Sequence, residues 1–522
     1  MMKNNQKVLF TIPLMALVLA GCGGAGGGGG NNRPDLDGPG GNIVIDGGGD
    51  IANFNTTASM KQSSANPYPY NTLETLCREW EELHPGWTVT VNKTSSQGDR
   101  SVILPQLQTH TAPHIMYQNG SVISSDLGQD YYVPLNKYLD SPDPYLEGNA
   151  AWKTVYNEAE LAGSVASDGE HYYCNLEKIP VAFVYNKTLL NAAGIAHPEN
   201  ISTFSQFIAA LEALRVFYSS HSEYAGYGKY ATEYTWYQIA LECNLFSDMV
   251  ELGDVLRKNG VCDTEEICRL YTKGLYNPLQ GINSKSDMAQ NNFEGNRLYE
   301  YIKIIERLDQ YKEGVNFAAR QRWIAGQLGF MEVTGNLLRT LNAIDVDYEW
   351  GTICFPDLTT ADSVHATRGC VRGTAGLATA WWISNRAMDD GSADMCADLL
   401  MYLTAPAQNN RLIGDLKGGI PLNPGSDYQL EDYLKPLVAK YDEDLVALSN
   451  GQRVSWASFN TWGNLGTSYN TAFIRQMQEL DAHISDSSKG ATAEQSTATL
   501  AYTIKNTVQA FNIEYDYDQS KW

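Results

Sequence analysis

Apolar and polar positions along this chain follow helical and strand spacing in turn. Over residues 71–84 the apolar residues recur at helical spacing, with glutamates on the opposite face, and Pro85-Gly86 ends this predicted helix. Residues 42–45 before it and 87–91 after it are rich in β-branched side chains and predict strands. This strand–helix–strand order is typical of an α/β domain.

The same patterns continue towards the C-terminus. Thr203, with Gln206 three residues later, predicts a capping box, and the helix that it begins has an apolar stripe from Phe204 to Leu214. We find no internal repeat, which excludes solenoids and propellers. Further strands are predicted at 114–117, 179–187, 328–333, 350–356 and 377–383, and further helices at 101–109, 189–194, 469–484 and 493–512.

The N-terminus predicts export and a lipid anchor. Two lysines precede an apolar run, Val8 to Val18, which is too short for a bilayer of ~30 Å and is typical of a cleaved signal peptide. The run ends in Leu19-Ala20-Gly21-Cys22, a lipobox, so we expect residues 1–21 to be removed and Cys22 to carry lipid. Residues 22–41 are rich in glycine and predict a flexible tether. The alternative is an ordinary secretory signal with a cysteine near its cleavage site.

Net charge and aromatic content limit the classes of ligand that the chain is expected to bind. The 522 residues include 37 Lys and Arg against 60 Asp and Glu, a net charge of −23. Such a surface argues against binding nucleic acid or anionic lipid through charge. The chain has 31 Tyr and 11 Trp against 14 Phe, which favours aromatic rings that also form hydrogen bonds, as at a polar ligand site.

The cysteines leave more than one interpretation. Eight remain of the nine once Cys22 is assigned to lipid, and export permits disulfides. Cys262 with Cys268 and Cys354 with Cys370 are possible pairs, but spacing alone leaves the connectivity open. No C-x-x-C motif occurs, so we expect neither a zinc ribbon nor a thioredoxin-type site.

Several motifs follow one another behind the lipobox. They are Tyr132 to Leu139, Val184 to Lys187 with Ala193-Gly194-Ile195 and Thr203-Phe204, and Ala405 to Gln408 with Gly418 to Pro421. In this order they resemble family 1 extracellular solute-binding proteins, the group that contains maltose-binding protein, over residues 42 to 512. Two features depart from the family: extra helical material at about 243–315, and a weak match at 323–331 that loosens the alignment from Glu332 to Asn336.

The resemblance implies an α/β fold of two lobes, the type II-like periplasmic-binding-protein fold, with a hinge and a ligand cleft between the lobes. We expect lobe 1 at 42–180 and 357–405, and lobe 2 at 181–356 and 406–522. The implied partners are ABC permease subunits with a separate cytoplasmic ATPase. We expect a monomer without a cofactor, a metal or catalytic residues.

Four places supply the aromatic platforms and hydrogen-bonding groups that a sugar requires, at positions plausible for the family. They are Tyr117, Gln118 and Asn119; Trp236 and Tyr237; Glu332, Thr334 and Asn336; and Trp456, Phe459 and Trp462. Each has a structural alternative: Tyr117 can end a core strand, and Glu332 can be a structural carboxylate. Trp381 and Trp382 are neighbours in a strand and point to opposite faces, so we expect packing roles for both.

The sequence thus predicts a lipid-anchored extracytoplasmic receptor that captures a neutral carbohydrate, an oligosaccharide, and delivers it to a permease. The alternatives are a surface glycan-binding lipoprotein with an exposed aromatic shelf and a lipid-anchored glycosidase. A glycosidase needs two carboxylates ~5–10 Å apart, which so acidic a chain supplies in any case. We find no G-x-S-x-G, H-E-x-x-H or P-loop motif. Pro113 interrupts the helix that would align His110 and His114 as metal ligands.

Overall fold

The structure is a computed structural model. Within the described residues, none of the helices combines the length and the apolar character that a bilayer crossing requires. Outside the described residues lie the predicted signal peptide at 1–21, Cys22, Asn119, Trp456, Phe459, Trp462 and most of the region 243–315, where extra helical material is expected. The structure describes residues 40–46, 72–92, 99–118, 120–157, 161, 164–166, 168–232, 236–246, 296–313, 317–342, 344–367, 374–415, 417–423, 428–439, 445–447, 453–455 and 466–518.

The strands form one mixed sheet and a separate hairpin. The sheet has the order β2-β1-β3-β8-β4-β6-β5, and β7 and β9 also pair with β4. The strands are β1 (Gly41–Asp46), β2 (Trp87–Asn92), β3 (Ile115–Tyr117), β4 (Tyr173–Asn186), β5 (Tyr230–Ala231), β6 (Phe330–Thr334), β7 (Trp350–Ile353), β8 (Thr374–Ile383) and β9 (Ile420–Pro421), with β10 (Leu445–Ala447) and β11 (Arg453–Ser455) in the hairpin.

Helices cover both faces of the sheet, which confirms the predicted α/β class. They are α1 (Thr72–Leu83), α2 (Arg100–Gln108), α3 (Ile123–Asp126), α4 (Asn136–Leu139), α5 (Lys187–Ala192), α6 (Phe204–Ser219), α7 (Trp236–Phe246), α8 (Arg297–Asp309), α9 (Phe317–Ile324), α10 (Gly335–Asn342), α11 (Asn385–Asp389), α12 (Ala393–Thr404), α13 (Pro406–Gly414), α14 (Lys435–Val438), α15 (Gly466–Ser485) and α16 (Ala493–Tyr515). The capping box is confirmed: the Gln206 amide donates to Thr203 Oγ1, and the Thr203 amide donates to Gln206 Oε1.

Several predicted strands have different bounds in the structure, and for two of them the pairing explains the difference. The strand predicted at 179–187 begins earlier, at Tyr173, because its first half pairs with β8. The strand predicted at 350–356 ends at Ile353, because Phe355 turns into the core and Asp357 pairs with Ser202 and Phe204 instead of with β4.

Strand β4 connects the two halves of the sheet. Its first half pairs with β8 and β9, and its second half, from Val181, pairs with β6 and β7. The register with β8 shifts between Lys178 and Pro180. Proline has no amide hydrogen to donate, so the hydrogen bonding between β4 and β8 is interrupted at Pro180. This interruption is the junction between the two halves, and we call it the hinge.

Each half has its own hydrophobic cluster. The first joins Ile43 of β1, Trp80 of α1 and Trp381 of β8, and it also includes Leu412 and Leu422. On the other face of β8, Trp382 packs at 4.4 and 4.7 Å, between ring centroids, from Tyr132 and Tyr173. Trp381 and Trp382 are both fully buried, which confirms packing roles for both.

The second half is covered on both faces as well. On one face Phe183 lies at the centre of an aromatic group, with ring centroids 4.8 Å from Phe207, 4.9 Å from Tyr237 and 5.2 Å from Phe355. On the other face Val184 packs in a third cluster with Trp323, Leu338 and Leu434. The division into lobes at 180/181, 356/357 and 405/406 stays a prediction.

Four described cysteines are buried free thiols: Cys77, Cys174, Cys243 and Cys396. Burial raises the pKa of Cys77 and of Cys174 to about 12, so both thiols stay protonated and unreactive. The predicted pairings remain untested, because Cys262, Cys268 and Cys370 lie outside the described residues.

Candidate functional site

The carboxyl ends of strands from both halves of the sheet are directed towards the hinge. Strand β3 runs antiparallel to β8, with Tyr117 opposite Trp381, so its carboxyl end points towards the start of β8, where Thr374 pairs with Pro180. In the other half, β6 runs antiparallel to β4 and ends with Thr334 opposite Val181. Ligands of open α/β sheets bind outside the carboxyl ends of strands. The topology therefore points to the hinge as the candidate site.

In the first half, Tyr117 and Gln118 lie at the carboxyl end of β3, where Tyr117 is opposite Trp381 and Trp381 is opposite Cys174, six residues before Pro180 in β4. Gln118 directly follows β3, and its amide donates to the Ala380 carbonyl at 3.2 Å. Both side chains are buried. Burial raises the pKa of Tyr117, and the nearby carboxylates of Glu177 and Asp46 raise it further.

Those two carboxylates were missed by the sequence analysis. Asp46 is the last residue of β1, and Glu177 lies in β4 three residues before Pro180. Both are buried near Tyr117. The signal for Asp46 was present in the sequence, because a polar residue at the carboxyl end of a parallel strand is a ligand-site position. Glu177 had no such signal, since only the pairing of β4 with β8 brings it to the hinge.

On the side of the second half, a buried carboxylate positions the start of a helix. Glu332 in β6 is 1% exposed, and its Oε1 accepts a hydrogen bond from the Trp236 backbone amide at 3.0 Å. Thr232 Oγ1 donates to Glu332 Oε2 at 2.5 Å. A carboxyl group at the amino end of α7 satisfies amides that have no partner within the helix.

Burial raises the pKa of Glu332 to about 8, against the lowering effect of the hydrogen bonds from Thr232, Trp236 and Tyr237 and of the Lys312 charge. The side chain is therefore largely protonated at neutral pH. These contacts correspond to the structural alternative for Glu332, a carboxyl group that holds α7 in place.

Trp236 and Tyr237 have different environments. Trp236 is half-buried at the first position of α7, where its amide donates to Glu332 of β6 and its side chain packs at the edge of the hydrophobic core. Tyr237 is 2% exposed, its ring packs on Phe183, and its hydroxyl donates to the Pro356 carbonyl at 3.1 Å. The structure assigns Tyr237 to the core, because no face of its ring is open to a ligand, and leaves Trp236 as the platform candidate of the pair.

The two halves meet backbone to backbone beside the hinge. Gly335, the first residue of α10, lies against Gly418, which precedes β9. A Cβ atom built on Gly418 would lie 2.0 Å from the Gly335 carbonyl oxygen, and one on Gly335 would lie 2.4 Å from the Gly418 carbonyl oxygen. Only glycine permits this approach. Asn336 is the next residue of α10, so the predicted position lies at this contact.

The structure describes one of the remaining predicted positions and leaves the others outside its described residues. Thr334 ends β6 at the hinge and is buried. Asn119, Trp456 and Trp462 lie outside the described residues, so their roles stay predictions.

His110 and His114 each pair with one carboxylate. His110 Nδ1 lies 2.5 Å from an Asp389 carboxylate oxygen, and His114 Nε2 lies 2.7 Å from Asp390. The Val44 amide donates to His114 Nδ1 at 2.9 Å, so Nε2 carries the hydrogen that Asp390 accepts. In the described part of the chain, no group of His, Cys, Asp and Glu side chains is arranged to hold a metal ion.

Comparison with known proteins identifies the family. Residues 75–440 match the model of a family described as bacterial extracellular solute-binding protein. A sequence comparison with curated proteins gives no match.

Solved structures share the fold over nearly the whole chain. A family 1 extracellular solute-binding protein from Bifidobacterium longum subsp. infantis is 15% identical and has a TM-score of 0.54, over 90% of this chain and 100% of that protein. RafE from Streptococcus pneumoniae is 14% identical with a TM-score of 0.57, over 89% and 97%. The cyclic α-maltosyl-1,6-maltose binding protein from Arthrobacter globiformis is 14% identical with a TM-score of 0.55, over 90% and 100%.

These findings confirm the α/β, two-lobed solute-binding fold that the sequence motifs predicted. The family match covers most of the chain and both halves of the sheet. The protein belongs to the bacterial extracellular solute-binding protein family.

Proposed function

We propose that this protein is an extracytoplasmic receptor that binds a carbohydrate at the hinge and delivers it to an ABC permease. The observation that carries the proposal is that β3 and β6 both run towards the middle of β4, with Gln118 after the end of β3 and with Thr334 and Trp236 on the side of β6. Closure of two lobes on a ligand couples binding to a change of shape that a permease can recognise.

The carbohydrate assignment rests on chemistry and on the relatives. A half-buried indole offers an apolar face, and the buried Gln118, Asp46 and Glu177 offer hydrogen-bonding groups, a combination that suits a ring with hydroxyl groups. RafE has been solved in complex with raffinose, and another structural neighbour is a chitin oligosaccharide binding protein. We infer an oligosaccharide, and we infer that the protein is not an enzyme, since the family is one of binding proteins.

We propose that the lobe around β1–β3 extends beyond residue 405. Leu412, Ile413 and Leu422 pack in the same hydrophobic cluster as Ile43, so α13 and β9 belong with that lobe. The lobe would then meet the other at the Gly335–Gly418 contact.

A thermal-shift screen tests the function. We expect one oligosaccharide among raffinose, maltopentaose and chitotetraose to stabilise the folded protein, by about 2.7 kcal/mol at a concentration 100-fold above its Kd. Trp236→Ala should weaken the binding of that sugar by about 1–3 kcal/mol, because an aromatic anchor is removed. Trp87→Ala is the matched control, since Trp87 is also half-buried but lies at the amino end of β2. If a peptide or a polyamine stabilises the protein and no sugar does, the carbohydrate assignment is wrong.

We also propose that Cys22 carries lipid and that residues 22–41 tether the receptor to the membrane. The support is the lipobox at Leu19 to Cys22 and the glycine run after it. Mass spectrometry of the protein purified from membranes should give a mature chain that begins at Cys22 and carries the mass of a diacylglycerol. Cys22→Ser should release the protein from the membrane fraction. A mature N-terminus elsewhere would favour the ordinary secretory signal.

A further inference from the structure

A cavity of about 1010 Å³ lies beside the outer strand of the second half, away from the hinge. Its floor is β7, which pairs with β4 on the side opposite to β6. None of Gln118, Trp236, Glu332 and Gly335 is among its lining residues. The cavity is therefore separate from the candidate site at the hinge.

Two walls close the cavity on either side of β7. One wall is the segment before α6 together with residues 357–360: the Asp357 amide donates to the Ser202 carbonyl at 3.0 Å, and the Phe204 amide donates to the Asp357 carbonyl at 2.7 Å. The other wall is residues 432–439, held to the floor where Thr352 Oγ1 donates to the Tyr433 carbonyl at 2.5 Å. Both walls are thus fixed by hydrogen bonds.

Aromatic rings form platforms in this cavity. Trp350 and Tyr433 are half-buried, with ring centroids 5.5 Å apart and planes inclined by 32°, and both pack on the third hydrophobic cluster. Tyr185 lines the floor beside Gly351, where a Cβ atom would lie 2.6 Å from the phenol oxygen. The glycine therefore makes room for the ring. Packing holds these platforms in fixed positions, so binding would cost little ordering of side chains.

The polar lining suits a neutral ligand with hydroxyl groups. It consists of six Ser and Thr residues and the carboxylates of Glu199, Asp357 and Asp432, and among the described lining residues there is no Lys, Arg or His. An anionic ligand is disfavoured, because nothing in this lining would balance its charge.

Each of the three carboxylates already has a polar partner. Glu199 lies 3.1 Å from His197, Asp432 lies 2.6 Å from Lys435, and Asp357 accepts from Asn244 at 3.2 Å. The Lys435 charge reduces the attraction of Asp432 for a cation. All three carboxylates can still accept further hydrogen bonds from hydroxyl groups. The outward edge of β7 has only four residues, which is short for the addition of a peptide strand.

We propose that this cavity is a second carbohydrate site, in which Trp350 and Tyr433 stack on a sugar ring and Asp357 and Glu199 accept hydrogen bonds from its hydroxyl groups. It would bind sugar independently of the hinge. A second sugar site on the same chain would raise the time that a long or branched glycan stays with the tethered receptor.

Fluorine NMR of protein labelled with 5-fluorotryptophan tests the proposal. The Trp350 resonance is assigned with Trp350→Phe, and raffinose, maltopentaose and chitotetraose are titrated separately. We expect at least one sugar to move the Trp350 resonance, both in the wild type and in Trp236→Ala. The resonance of Trp152, which is fully buried in the other half, is the control and should stay in place. Tyr433→Ala should weaken this binding at least tenfold without changing the melting-point shift that the hinge ligand produces.

Three results would overturn the proposal. In the first, none of the three sugars moves the Trp350 resonance. In the second, spermidine or a short uncharged peptide moves it and the sugars do not, which would make the cavity a cation or peptide site. In the third, the sugar-induced shift disappears in Trp236→Ala, which would mean that Trp350 responds to the hinge site and has no ligand of its own.

Discussion

Glu332→Ala should lower the free energy of unfolding by about 2–5 kcal/mol, whereas Glu332→Gln should stay close to the wild type at about pH 4.5 and below, where the carboxyl group is protonated in both states. The alanine leaves a cavity, and it leaves the Trp236 amide and the Thr232 hydroxyl without the partner that they have in the fold. The glutamine keeps the shape of the side chain and an oxygen that accepts from Trp236. We expect Glu332→Ala also to weaken sugar binding, because the carboxyl group fixes the start of α7 and thereby the Trp236 indole.

The same carboxyl group predicts a pH dependence with a definite sign. Burial raises the pKa of Glu332 in the fold to about 8 from the ordinary 4.5. The folded protein therefore keeps a proton between these values that the unfolded chain has lost, so the stability falls as the pH rises from about 4.5 to about 8. Glu332→Gln removes this part of the dependence, so it should become progressively more stable than the wild type as the pH rises from about 4.5 to about 8, with a constant difference above that.

Urea unfolding of both variants and the wild type at about pH 5, 7 and 9 measures how the free energy of unfolding depends on pH. Other buried acids titrate in the same window: burial raises the pKa of Asp143 to about 6 and that of Asp309 to about 7. They affect wild type and variant alike, so the difference between the two curves isolates Glu332. Parallel curves would mean that Glu332 is charged in the fold and that the glutamine is not a mimic of its neutral form.

The second large effect is expected at the glycine contact. Gly418→Ala should weaken sugar binding at least tenfold, because its Cβ would lie 2.0 Å from the Gly335 carbonyl oxygen and 3.0 Å from Arg339 Cβ. The Gly335 carbonyl oxygen is a backbone atom, so the steric clash can be relieved only if the two segments move apart. Since they belong to opposite sides of the hinge, this movement opposes closure on the ligand.

Calorimetry with the sugar found by the thermal-shift screen measures the affinity, and small-angle scattering measures the compaction on binding. The wild type should become more compact with sugar, and Gly418→Ala should do so less or not at all. Gly391→Ala is the control: Gly391 has a φ of +76° and nothing within 4 Å of a built Cβ, so alanine strains its backbone without a contact. Wild-type affinity in Gly418→Ala would show that the contact has no part in closure.

Much of the fold follows from local patterns that act over a few residues. The apolar spacing at 71–84, the β-branched run at 87–91 and the capping box at Thr203 each correspond to an observed element. Side chains alternate between the two faces of a strand, so the sequence predicted that Trp381 and Trp382 lie on opposite faces of the sheet. Both are buried, because other elements pack on both faces. These features depend on backbone geometry and side-chain direction, which a short stretch of sequence contains in full.

The candidate site depended on contacts between distant segments. Tyr237 and Trp236 are neighbours in sequence, yet only the packing of Phe183 and Phe355 puts the first in the core. Glu332 is 96 residues from Trp236, and Gly418 is far along the chain from Gly335. The periodicity of a sequence does not reveal which distant residues contact each other. A glycine or a buried acid has the same local conformational preferences whichever residue it contacts.

The sequence by itself determined many of the helices and strands, the α/β class and, through its motifs, the family. Those properties come from spacing along one segment, where the periods of 3.6 and 2 select which side chains are buried. The tertiary structure alone decided that β3 and β6 run towards the hinge, that Glu332 supports a helix, that Gly335 and Gly418 lie against each other, and that a cavity lies beside β7. These outcomes follow from strand pairing and close packing between segments far apart in the chain, whose geometry no single segment contains.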